Sequence, residues 1–174
     1  MRELPQRKSV RLANYDYSQS GAYFITICTQ DRLNVFGDIV RDVAEQALFS
    51  CRLNPKGNIV ENEWYRLNNR FPNISLEKFV VMPNHVHGII VIGCETRQEQ
   101  SPCPTVRNST IGDILCAYKS VTTKSCNKMD AATGRKIWQY KYHDHIIRNN
   151  DEYMRICQYI DDNPAKWKED IYFM

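Results

Sequence analysis

Three features of the 174-residue sequence predict an α+β sandwich with an antiparallel sheet. β-Branched, strand-like runs alternate with amphipathic runs in the order strand, helix, hairpin, helix, strand, helix. A Pro83-Asn84 turn splits the most apolar run into two halves. Capping residues stand where the helical runs begin.

Residues 22–29 (AYFITICT) are β-branched and aromatic and read as the first strand. The segment 35–53 supports either two short strands or a helix over 41–52. After Asn54-Pro55-Lys56-Gly57, residues 58–69 place Ile59, Val60, Trp64 and Leu67 at helical spacing, and Phe71-Pro72-Asn73 ends that helix. Residues 78–82 and 85–92 form the hairpin around Pro83-Asn84, and 93–108 is a polar surface loop with two prolines. Ser109 or Thr110 with Asp113 opens a helix whose apolar stripe is Ile111, Ile114, Leu115, Tyr118 and Val121, leaving Lys119, Thr123 and Lys124 to face outward. Residues 127–136 form a loop, and 137–147 (IWQYKYHDHII) alternate as a strand. Asn149 or Asn150 caps a last helix that ends near Asn163, because Pro164 disfavours helical geometry in its predecessor. With 35–53 set aside, the order is a split βαββαβ unit plus one C-terminal helix, a ferredoxin-like sandwich with helices on one face of the sheet.

The length and the 43% hydrophobic content fit one domain over 1–174 with a single core. No apolar run approaches the ~20 residues needed to span a bilayer, and the N-terminus MRELPQRKSVRL lacks the apolar segment of a secretory signal, so a cytoplasmic protein is expected. The seven cysteines are odd in number and contain no CxxC pair, which argues against a zinc ribbon or a disulfide scaffold. Cys28, Cys116 and Cys157 lie in apolar stretches and are expected to pack as small hydrophobes.

Charge is concentrated rather than uniform. The net charge is +3, yet residues 107–148 hold eight basic and three acidic side chains. Lys119, Lys124, Lys128, Arg135, Lys136, Lys141 and Arg148 are interleaved there with Tyr118, Trp138, Tyr140 and Tyr142, a mixture suited to single-stranded nucleic acid through backbone neutralisation and base stacking. A solvated basic face over a packed aromatic core accounts for the same pattern.

The four histidines form two pairs, His85-Val86-His87 and His143-Asp144-His145. On a strand each pair points to one face. His85 and His87 interrupt a run flanked by VVM and GIIVI, so their burial needs compensation, either by hydrogen bonds or by a divalent ion between two neutral imidazoles. Gly88 leaves room for a backbone or a ligand. Tyr159 and Asn163 are four apart on the last helix and share a face. A phenol can serve as a covalent nucleophile and an amide oxygen can bind a hard cation; equally, Tyr159 can be core and Asn163 a cap before proline.

The blocks VVMPNHVHGIIVI, IGDILCAYKSVTTK, IWQYKYHDHIIRN and YIDDNPAKW, in this order, resemble the single-tyrosine HUH transposases, and most nearly the branch of REP-associated tyrosine transposases. The resemblance runs from Tyr23 to Trp167. It implies that His85 and His87 bind a divalent metal, Mg²⁺ or Mn²⁺, that Tyr159 is the nucleophile, and that Asn163 is the third metal ligand. It further implies cleavage and rejoining of single-stranded, hairpin-forming DNA through a 5′-phosphotyrosine, with residues 1–20 as a basic arm and 149–174 as nucleophile helix and tail. His143 and His145 are expected either to face the same cleft behind the metal ligands or to be structural residues. The family contains dimers and monomers, so the resemblance leaves the oligomeric state open. Two further readings compete: a non-catalytic nucleic-acid-binding protein derived from a transposase, and a zinc protein using all four histidines.

Overall fold

A computed structural model of the chain describes residues 20–41, 49–93 and 109–173. All but the last residue of the expected basic arm over 1–20, most of the 93–108 loop with Cys94 and Cys103, and residues 42–48 lie outside the described residues. The elements are β1 (Gly21–Cys28), β2 (Gly37–Arg41), β3 (Phe49–Leu53), α1 (Pro55–Tyr65), α2 (Leu67–Arg70), β4 (Ile74–Met82), β5 (His85–Ile92), α3 (Ile111–Met129), β6 (His143–Ile147) and α4 (Asn150–Asp162). Four strands form one sheet in the order β4-β5-β1-β6, antiparallel throughout, while β2 and β3 pair as a separate ribbon. This is the predicted split βαββαβ arrangement. The ambiguous 35–53 segment resolves into the two strands rather than a helix over 41–52.

The local chemistry explains the boundaries. Asn54 caps α1 by accepting from the Lys56 and Gly57 amides, with Pro55 at the first helical position. Thr110 and Asp113 close a reciprocal capping box at the start of α3. Asn149 accepts from the Glu152 amide at the start of α4. Three expectations need correction. Of residues 137–147 only the last five form a strand, because Trp138 instead makes an isolated bridge with Thr29. α4 ends at Asp162 as expected, but not because proline unwinds its predecessor: Asn163 itself keeps helical dihedrals (φ −57, ψ −43) before Pro164, since the chain continues to turn beyond it. Cys116 is exposed, and Cys126 and Thr122 complete the buried stripe of α3 in place of Val121.

The two faces of the sheet are packed differently. Tyr23, Ile25 and Ile27 of β1 and Val86, Ile90 and Ile92 of β5 meet α1 and α3 in the main core. Phe24, Ile89, Val91 and Ile147 point to the opposite face, where Cys157 and Ile160 of α4 cover them. Gly88 is tightly approached, though by an indole rather than by a ligand: a Cβ there would overlap Trp64 Cζ2 and sit 2.7 Å from Cη2. The Trp64 ring stacks on Phe79 at 4.3 Å and meets Tyr118 edge-on at 5.5 Å. We therefore expect Gly88→Ala to destabilise the fold by ~1–3 kcal/mol through overpacking, read from urea unfolding. An unchanged midpoint would contradict the tight approach.

Candidate active site

Strand register places the histidines. His85 lies opposite Cys28 and His87 opposite Thr26, on the face that α4 covers. The two are 0% and 1% exposed, with ring centroids 4.5 Å apart. Each ring is oriented through Nδ1. His85 Nδ1 donates to Asn84 Oδ1 at 2.8 Å, and His87 Nδ1 is 2.8 Å from Thr26 Oγ1. With the proton on Nδ1, the Nε2 lone pairs are left free, the form a metal ligand requires.

Burial keeps these rings neutral. It pushes His85 down to about 3, reinforced by the Arg32 charge and opposed by the Asn163 side chain beside it. His87 is pushed well below the ordinary histidine value by burial first, then by His85 and His143. α4 brings up the other two expected residues. The Tyr159 hydroxyl is 3.3 Å from His87 Nε2, and its ring meets His87 edge-on at 5.2 Å while the residue remains 41% exposed. Asn163 is 3% exposed and donates through Nδ2 to Asp170 Oδ2 at 3.0 Å.

Two buried acceptor atoms in this cluster, His85 Nε2 and Asn163 Oδ1, have no hydrogen-bond partner. Such atoms are costly unless a donor or a cation satisfies them. The residues therefore fit a divalent ion held by His85, His87 and Asn163. Asp170 adds a carboxylate, with Oδ2 3.8 Å from His85 Nε2, in the His85-His87-Asp170 group of possible metal ligands. The expected donor set of two imidazoles and an amide was uncharged; Asp170 gives it a negative charge.

Asp170, Tyr172, Asn84, Thr26 and Arg32 were not read from the sequence as site residues. Asp170 and Tyr172 reach the histidines because the chain turns back after the 3₁₀ turn at Trp167–Glu169. Only Asn84, in the turn directly before His85, carried a local signal. The tail affects the nucleophile candidate. Burial, then Asp170 and Tyr172, push the Tyr159 phenol up to about 12, with Asn163 acting in the opposite direction.

The second histidine pair shares this face, with His143 opposite Thr26 and His145 opposite Phe24. His145 Nε2 lies 2.7 Å from Glu152 Oε1, tying β6 to the first turn of α4, and His143 is exposed. Neither belongs to the His85-His87-Asp170 group, so the four histidines do not converge.

The basic residues divide. Lys119 is half-buried and donates to the Gln139 and Tyr140 carbonyls, and Arg135 pairs with Asp130. Lys124 and Lys128 are exposed on α3, which packs on the other face of the sheet from the histidines. Lys136, Lys141 and Arg148 are exposed on the segment running into and out of β6. Among the interleaved aromatics, Tyr118 and Trp138 are core, Tyr142 packs against the core, and Tyr140 is 93% exposed.

Comparison with known proteins bears on this geometry. No protein-family model matches the chain. An uncharacterised protein of Haemophilus influenzae is 34% identical over 174 residues, covering 94% of this chain and 91% of its own. The two chains belong to one family. The structure of a REP-associated tyrosine transposase bound to a REP hairpin superposes with a TM-score of 0.60 at 19% identity, over 91% of this chain and 74% of that one. The chain has the fold of that transposase. A putative transposase from Deinococcus radiodurans also matches, with a TM-score of 0.44 at 17% identity over 88% of this chain and 97% of that one. The expected likeness to the HUH tyrosine transposases is thus borne out at the level of the fold. Among the described residues no helix is long and apolar enough to cross a membrane.

Two outcomes test this site. His85 binds its proton near 3 in the folded chain and near 6.5 when unfolded, so between these values the unfolded chain holds more protons and stability falls with falling pH. Lowering pH from 7 to 5 should cost the metal-free protein ~2 kcal/mol from this group, seen as a lower urea midpoint; a flat profile would refute burial of a neutral ring. Calorimetric titration with Mn²⁺ should lose its heat in His85→Ala, weaken about tenfold in Asp170→Asn, and be unchanged in His143→Ala. Loss in His143→Ala would restore the four-histidine reading.

Proposed function

We propose that this chain is a tyrosine transposase of the HUH type, which cuts and rejoins single-stranded DNA at hairpin-forming elements. One observation carries the reading: a phenol on α4 stands 3.3 Å from a buried imidazole nitrogen, beside the two unpartnered acceptors His85 Nε2 and Asn163 Oδ1. A packed core explains neither the approach of a hydroxyl on a half-exposed residue nor the two orphaned acceptors. The fold shared with a transposase bound to a REP hairpin supports hairpin DNA as the substrate class.

In this reading the Tyr159 oxygen attacks the scissile phosphorus. The P–O3′ bond breaks, the phenol loses its proton, and the 3′ oxygen leaves to take up a proton as a free 3′-OH. The 5′-phosphotyrosine stores the bond energy, so attack by another 3′-OH reseals a strand without ATP. A divalent ion, Mg²⁺ or Mn²⁺, held by His85, His87 and Asn163 supplies Lewis-acid polarisation of the phosphate. Asn84 Oδ1 holds the His85 imidazole in the ligand tautomer, and Thr26 orients the His87 ring through its Nδ1. Asn163 also favours the phenolate of Tyr159, against the burial that disfavours it. Lys136, Lys141 and Arg148 offer the strand backbone a positive edge beside β6. Lys124 and Lys128 reach only strand that passes round to the α3 face, while Lys119 and Arg135 hold the loop through the Gln139 and Tyr140 carbonyls and Asp130.

The test is incubation of labelled single-stranded hairpin libraries with Mn²⁺, followed by denaturing electrophoresis. The native chain should yield a covalent protein–DNA adduct. Tyr159→Phe should abolish it while leaving hairpin binding within about threefold, because removing one phenol oxygen costs no phosphate contact. Binding without any adduct in the native chain would favour the non-catalytic nucleic-acid-binding reading instead.

A further inference from the structure

The turn after β1 holds two successive non-glycine residues in the left-handed region, Asp31 at φ 55 and Arg32 at φ 54. That conformation costs ~1–2 kcal/mol per residue and persists only where the surroundings impose it. Aspartate tolerates it; arginine does not gain from it. The turn is held by the Arg32 amide on the Thr29 carbonyl, by the Thr29 hydroxyl on the Leu33 carbonyl, and by Asn84, whose Nδ2 donates to the Arg32 carbonyl at 3.0 Å while its Oδ1 accepts from His85 Nδ1. One buried amide thus bonds both the metal-ligand ring and the backbone that carries the arginine.

The Arg32 guanidinium lies beside the site. Nη1 donates to the Ile171 carbonyl at 3.0 Å, and Cζ stands 5.4 Å from the centre of the Tyr172 ring. That ring is in turn 4.8 Å from the ring of His85 and 5.9 Å from that of His87. Among the described residues no carboxylate lies within 4 Å of this cation. What it meets is a peptide oxygen of the tail, and one residue earlier the tail sets an anionic oxygen of Asp170 3.8 Å from His85 Nε2. An anionic oxygen at the histidines, followed by an acceptor oxygen at the arginine, is the pattern that a phosphodiester strand presents.

We propose that Arg32 is a phosphate-binding residue of the active site, gripping non-bridging oxygens of the phosphodiester that lies against His85 and His87. This rests on the reading of the site as one for a DNA strand. A guanidinium presents paired N–H donors that match two phosphate oxygens, and there it neutralises charge developing on the phosphoryl group.

The test measures affinity of the full-length chain for a fluorescent DNA hairpin with a short single-stranded tail, in Mn²⁺, across a range of KCl. Arg32→Gln should bind about tenfold more weakly and reduce the slope of log K against log salt by about 0.7, the loss of one single-strand phosphate contact. Arg32→Lys should keep the slope and lose part of the affinity, since it keeps the charge but not the fork. Arg70→Gln, an exposed cation on α2, serves as the charge-matched control and should change neither. If Arg32 only latches the tail, Arg32→Gln binds as well as the native chain or better, and either result overturns the proposal. If Arg32→Gln fails to fold in a thermal melt, Arg32→Lys decides: affinity equal to the native chain overturns it. Adduct formation by the native chain is read in parallel. Absence of adduct with Arg32-dependent binding sinks the Tyr159 chemistry and leaves the arginine, whereas adduct with Arg32-independent binding sinks the arginine alone.

Discussion

The site depends on two imidazoles held neutral inside a sheet. A buried charged ring is expensive, and a buried neutral one still needs partners for its nitrogens. Asn84 and Thr26 partner the Nδ1 atoms of His85 and His87, and the lone pairs that remain are directed toward α4. There the structure supplies acceptors as well as a hydroxyl: Asn163 Oδ1, the Asp170 carboxylate and the Tyr159 phenol. Acceptors gathered in a dry place demand a positive centre. That demand unites the cluster, and the chemistry proposed for the chain follows from it.

The sheet divides its work by face. On one side α1 and α3 bury a continuous core in which Trp64 lies over Gly88 and stacks on Phe79. On the other side the same strands present His85, His87, Thr26 and Phe24 to α4, a helix held by a smaller apolar patch, by Lys78 with Asp161, and by His145 with Glu152. Period-two geometry lets Gly88 serve the core while its neighbour His87 serves the site. The helix that carries the nucleophile candidate thus rests on the sheet through a small apolar patch and the Lys78–Asp161 and His145–Glu152 pairs.

Asp170 has two opposed effects. Its carboxylate strengthens the donor set for a cation, yet the same charge raises the phenol of Tyr159 and disfavours the phenolate. A DNA phosphate brought to that place would carry a similar charge to the cation while presenting the phosphorus that the phenol would attack in the proposed reaction. Arg32, in a strained conformation and bonded through its carbonyl to Asn84, already marks where an acceptor oxygen beside the histidines meets a cation.

Periodicity and caps were enough to read the βαββαβ order, the Pro83-Asn84 hairpin, the start of α3 at Thr110 and the span of α4, because these are set by neighbours a few residues apart. The same local rules put His85 and His87 on one face and Tyr159 and Asn163 on another, and the likeness of the motif blocks joined the two. Local rules failed where distant segments decide: the basic run proved to be several surfaces, and residues 137–142 were drawn out of the strand by the bridge at Thr29, whereas Tyr118 is buried in the apolar stripe of α3 as its spacing predicts. By itself the sequence determined which short-range elements form and which side chains share a face. Only the tertiary structure decided that Thr26, Asn84, Arg32, Asp170 and Tyr172 surround the two imidazoles, since cross-strand register and the return of the tail depend on packing between segments as much as 139 residues apart, which no periodicity records.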